Sequence, residues 1–173
     1  ATVSGHGEWL EKAEACGRFI STTFKSDVGY FSQAPNKAGS GVFAQVVVQR
    51  GENVDVARFL NLLEQMTAKK EFRGFAEHAM RYLVNPKLAR QQRTASTLVA
   101  DLEFNAPAPH IVVVGSREDK AAQALFMSAL RLPTRYKVVQ WREPNDKSKA
   151  KAGLVFPKMD KAAAFICAGT RCS

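Results

Sequence analysis

One run constrains this chain more than any other: His110 to Ser128, HIVVVGSREDKAAQALFMS. Ile111 to Val114 is a continuous β-branched stretch bounded by Pro109 and Gly115. Such a run suits a strand buried on both faces. Gly115-Ser116 turns the chain, and helical spacing follows. Ser116 is read as the start of a helix, with Asp119 three residues on, resembling a capping box. Ala121, Ala124, Leu125, Ala129 and Leu130 would face a core, and Pro133 stops the helix. Tyr136 to Trp141 alternates as a second strand. Together these pieces predict a βαβ unit, parallel with a right-handed crossover. A polar loop, Pro144 to Gly153, leads to a third strand at Ala162 to Ala168.

The chain before this run reads as helical. Glu8 to Phe24 carries Trp9, Leu10, Ala13, Cys16, Gly17, Ile20 and Phe24 at three- and four-residue spacing, so Cys16 is expected inside an apolar stripe. Gly29 to Gly51 is the least helical part, and a hairpin across Pro35 to Gly41 would pair Tyr30 and Phe31 with Val42 to Val48. Asn53 is placed as the N-cap of a helix reaching Thr67. Glu71 to Leu83 is the next helix. The short turn between them predicts an αα-hairpin. Asn85-Pro86 breaks the pattern, and Lys87 to Phe104 forms a third helix with Leu88, Ala95, Leu98, Val99 and Leu102 toward the core. Arg90 and Arg93 fall on its wetter side. Ala106 to Pro109 is a proline linker.

Composition narrows the function classes. A chain of 173 residues buries roughly 70% of its unfolded surface without metals or many disulfides. No apolar run of about 20 residues is present, so no membrane span is expected. No secretory signal is read at the start. A soluble chain is expected, with the cytoplasm favoured over the periplasm. The net charge of +9 and pI of 9.7 favour anionic partners. Nucleic-acid binders concentrate such charge and interleave aromatics, whereas here it is spread. One long acid-free stretch, His78 to Ala100, holds Arg81, Lys87, Arg90 and Arg93, the candidate anion-binding residues. Lys147, Lys149 and Lys151 form a looser cluster.

The candidate chemistry is sparse. The Val114-Gly115-Ser116 turn lies where open α/β sheets bind ligands. It lacks GxGxxG, and Glu118 and Asp119 already occupy the positive end of the helix, so a capped turn is the better account. No cofactor is expected. Three histidines and no CxxC leave no zinc site to propose. His78 reads as a partly buried structural residue, and His110 as the residue preceding a strand. Glu64, Glu71, Glu77, Asp101 and Glu103 read as helix-surface residues. Of the three cysteines, Cys167 and Cys172 are separated by four residues including Gly169. A turn there lets the two sulfurs meet. Three readings stay open: a structural pair, a redox-responsive pair, or a metal contact completed by another chain.

Several segments, in order, resemble one family. They are GEWLEKAEACGRFISTTF, GYFSQAP, ENVDVARFLNLLEQMTAKKEFRGFAEHAMRYL, HIVVVGSREDKAAQALFMSAL and AAAFICAGTRCS. The set is similar to the C-terminal region of the thioredoxin-domain-containing, YyaL-like and spermatogenesis-associated protein family. That family joins a thioredoxin fold to an (α/α) toroid and carries a terminal Cys-x4-Cys pattern, matched here by Cys167 and Cys172. The thioredoxin domain, its CxxC and most of the toroid are absent from these residues. The resemblance therefore implies a context rather than a reaction.

The expected architecture is mixed α and β. Residues 1–105 form toroid-like αα-hairpins with a possible hairpin at 29–51, and residues 110–173 form a small parallel βαβ(β) layer packed with them. The expected function is a noncatalytic module of a redox-associated protein. The alternatives are a disulfide-exchange enzyme fragment, and a basic adaptor for nucleic acid or another polyanion. Another domain of the same protein or a second copy is the expected partner, with nucleic acid less favoured and no membrane.

Overall fold

The computed structural model describes residues 8–34, 46–89, 95–134, 136–143, 156, 159–168 and 171–172, with 88, 89, 168, 171 and 172 as backbone. The fold is mixed α and β. Two compact units emerge: Lys12–Glu64 with Lys69–Ala106, and Pro107–Ser173 with Ala1–Glu11 and Gln65–Ala68.

The first unit is helical. Helix α1 spans Glu8–Thr23. Its buried positions are Gly17 and Ser21, while Phe19 is 58% exposed. Cys16 is exposed, contrary to the expected stripe. The reason is close approach. A Cβ at Gly17 would lie 3.1–3.2 Å from Leu60, Leu63 and Phe72 side chains, so the helix docks through its small residues. Strands β1 (Lys25–Ser26) and β2 (Gly29–Tyr30) form a two-residue antiparallel pair. Among the described residues the expected hairpin partner of this aromatic run appears as the antiparallel bridge Phe31↔Val48 and the bond from Ser32 N to Val47 O. Residues 35–45 lie outside the described residues.

Helix α2 runs Arg50–Thr67 and α3 runs Lys70–Leu83, joined by two residues. Asn53 is not the N-cap. It sits inside α2, fully buried, and its amide bonds Tyr30 N at 2.8 Å, Tyr30 O at 2.9 Å and Gln49 O at 2.7 Å. Leu60, Leu63, Phe72, Ala76, Ala79 and Leu83, at three- and four-residue spacing along the two helices, form the core of this unit. Short α4 (Pro86–Ala89) follows the Asn85-Pro86 break, and α5 spans Ala95–Asn105. Arg90 and Arg93 lie outside the described residues.

Helix α5 reverses the expected facing. Leu98, Val99 and Leu102 are 65%, 43% and 69% exposed, and Ala100 and Glu103 are buried. A polar network sets this rotation. The Glu103 carboxylate accepts two bonds from Arg58, at 2.6 and 2.7 Å. Asn61 donates to Glu103 O, and Arg73 donates to Phe104 O while its guanidinium stacks on the Phe104 ring. A helix-surface role for Glu103 is thus overturned: its side chain is 9% exposed and ion-paired.

The second unit is a sheet backed by one helix. Strand β3 (His110–Val114) is central, with Ile111, Val112 and Val113 each at or below 3% exposure. It pairs in parallel with β4 (Val138–Arg142) and antiparallel with β5 (Ala163–Ala168), and β5 pairs antiparallel with β6 (Arg171–Cys172). The β3–β4 pairing is parallel, as the expected βαβ unit requires, and the antiparallel β5 and β6 make the sheet of order β4-β3-β5-β6 mixed. Helix α6 (Lys120–Arg131) lies over one face, burying Ala122, Phe126 and Ala129 against Ile111, Val113 and Val139. It starts four residues later than Ser116. Asp119 is its N-cap, accepting from Ala121 N at 2.8 Å.

Candidate functional site

The strand-turn-helix at Gly115 offers no anion site. Gly115 N donates to Arg142 O, the Gly115 carbonyl takes the Trp141 indole at 2.9 Å, and Ser116 Oγ accepts from Glu118 N. These donors already have partners within the fold, and the Asp119 carboxylate holds the start of α6.

Cys167 lies on the other face of the same sheet. Alternation along β5 places Ala163, Phe165 and Cys167 on the face opposite α6, together with His110, Val112 and Val138. Cys167 is 1% exposed and disulfide-bonded, while Cys16 is free. The chain's remaining cysteine is Cys172, which stands directly opposite Cys167 in register. Antiparallel register pairs have Cα atoms about 4.5–5.5 Å apart. Disulfides need about 4.4–6.8 Å. The register thus brings together the two residues named from the sequence. His110 is the cross-strand neighbour of Cys167 on its other side and is 4% exposed. Sequence spacing gives no hint of this, because 56 residues lie between the two.

A pocket of about 430 Å³ opens on the helical unit, where the β1–β2 turn meets the end of α3 and the start of α4. Two of the four cations singled out from the acid-free stretch, Arg81 and Lys87, line it. Asp27 and Val28 contribute from the turn, and His78 and Tyr82 from α3. His78 is 8% exposed and pins the turn to the helix. An Arg81 Nη2 lies 3.2 Å from its Nδ1. Guanidinium only donates, so Nδ1 is the acceptor in this contact. Nε2 meets three backbone groups of the turn: Ser26 O at 2.8 Å, Gly29 O at 3.0 Å and Gly29 N at 3.2 Å. Gly29 fits the turn because its φ is +128°, a conformation L side chains rarely adopt. Sequence reading placed His78 as partly buried and structural, and this is its position. The i, i+3 spacing of His78 and Arg81 was the available signal for the pocket.

Among the described residues no group of three or more His, Cys, Asp or Glu is arranged to hold a metal. No helix there is long and apolar enough to cross a membrane. Fold and sites together define a mixed α/β chain with a disulfide-bonded strand near one sheet edge and a cationic pocket on a helical unit. Comparison with protein-family models, with curated proteins and with solved structures returns no match.

Proposed function

We propose that this chain is a noncatalytic module of a thioredoxin-like, redox-associated protein, and that its C-terminal hairpin is a redox-responsive clasp closed by a Cys167–Cys172 bond. The observation that carries this reading is the register pairing of a disulfide-bonded Cys167 with Cys172. The bond closes a very short loop, which restricts the unfolded chain by only about 2 kcal/mol. Reduction therefore loosens β6 while the remaining sheet, held by β3 and α6, stays folded. A dithiol reductant supplies the two electrons and two protons and leaves as its own disulfide.

Burial of Cys167 supports a noncatalytic role over a disulfide-exchange enzyme, since an attacking thiolate must reach its target. The exposed Leu98, Val99 and Leu102 support a covering partner, either another domain of the same protein or a second copy. The polyanion-adaptor reading draws on Arg81 and Lys87, which share one pocket rather than an extended stripe.

Alkylation and mass analysis across graded glutathione or dithiothreitol potentials test the clasp. One reactive thiol, Cys16, is expected in the oxidised chain, and three after reduction. The transition should be reversible above about −300 mV, where regulatory disulfides lie. Three thiols at every potential, or a bond that resists reduction below that value, would reject it.

A further inference from the structure

We propose that the pocket between the β1–β2 turn and the end of α3 binds a small organic carboxylate with an apolar body. This site is separate from the cysteine hairpin, and the proposal does not depend on the redox reading. The pocket's volume, about 430 Å³, is in the range of small-molecule sites.

The charge arrangement points to the ligand. Arg18, Arg58, Arg73 and Arg117 each sit within 4 Å of a carboxylate. Among the described residues Arg81 has no such partner. Its side chain bonds the His78 ring at 3.2 Å. A guanidinium has five donors in a planar fork that matches a carboxylate. Arg81 thus retains donors for a guest, and the buried His78 fixes the fork's orientation. Lys87 adds a second cation on the same pocket, with no carboxylate partner among the described residues. Two cations lining one pocket can recognise an oxyanion.

Two further features select among oxyanions. Asp27 also lines the pocket, and its charge opposes a multiply charged guest such as phosphate more than a monocarboxylate. Val28 and the Tyr82 ring supply apolar wall for a hydrocarbon body. Tyr82 is held in place by its hydroxyl bond to Val48 O at 2.9 Å.

Titration calorimetry and ligand-observed NMR on the full chain test this, with 3-phenylpropionate and inorganic phosphate as probes. Saturable phenylpropionate binding is expected, with phosphate at least about tenfold weaker. Arg81→Gln should weaken phenylpropionate about tenfold or more, and Lys87→Gln severalfold, because each removes a charge-assisted contact. Both side chains are on exposed residues, so thermal unfolding monitored by circular dichroism should be unchanged in each variant. If Arg81→Gln lowers the melting temperature, Lys87→Gln alone decides. No saturable phenylpropionate binding, phosphate binding of equal strength, or full affinity in a folded Arg81→Gln or Lys87→Gln chain would each overturn the proposal.

Discussion

Asn53 carries more of the helical unit than its size suggests. One amide side chain satisfies both backbone groups of Tyr30 and the Gln49 carbonyl, all in a buried setting. Asn53→Ala leaves those groups without partners, and urea denaturation should show a loss of about 2–4 kcal/mol. A loss under about 1 kcal/mol would mean that water replaces the amide. Tyr30 beside it is 1% exposed, and burial raises its phenol above the ordinary 10.0, against smaller opposing pulls from the Ser21 hydroxyl and the Arg81 charge. The folded state thus favours the neutral phenol. The linked stability is fully present below pH about 10 and is lost as pH rises through the raised folded value. Urea melts across that range should show an alkaline loss that is smaller in Tyr30→Phe. Equal losses in the two chains would assign the effect elsewhere. Neither residue's role was legible in the sequence. A capping residue and a buried bridging amide are both Asn, and only the position of Tyr30 separates them.

Among the elements, the strands were read more securely than the facing of the helices. A continuous β-branched run bounded by Pro109 and Gly115 has few ways to be satisfied, and β3 is buried on both faces as it predicts. Helix α6 shows the limit. Ser116 and Asp119 both offer a capping oxygen, and the structure uses Asp119 because the chain from Gly115 to Glu118 is held as a turn by Trp141 and Arg142. Asp119→Ala should lower stability by about 1 kcal/mol, readable as a shift in the thermal midpoint. Ser116→Ala should shift it much less, and the reverse ranking would move the helix start back to Ser116. Helices α1 and α5 were misread for a common reason. Spacing alone marks the largest apolar stripe as the core. Close packing at Gly17 and the Arg58–Glu103 ion pair instead turned smaller or charged residues inward.

At the scale of the molecule, α5 presents Leu98 and Leu102 outward at 65% and 69% exposure. Isolated exposed leucines are ordinary, but three apolar neighbours on one helix make a patch that favours association. Leu98→Gln with Leu102→Gln should leave the helical circular dichroism intact and shift any self-association, measured by sedimentation velocity, toward the monomer. An unchanged distribution would remove the second copy as the covering partner. The sequence by itself determined the mixed α and β class, the existence of the two helices ending at Thr67 and Leu83, and the central strand. These follow from local periodicity, which needs no distant contact. The tertiary structure alone decided which way β5 runs, that Cys167 and His110 are cross-strand neighbours, and that Arg81 meets Lys87, Asp27 and His78 around one cavity. The strand pairings and the approach of Asp27 to the end of α3 are juxtapositions of residues far apart in the chain. Strand direction and helix rotation set them, and both depend on the total packing rather than on any segment's own pattern.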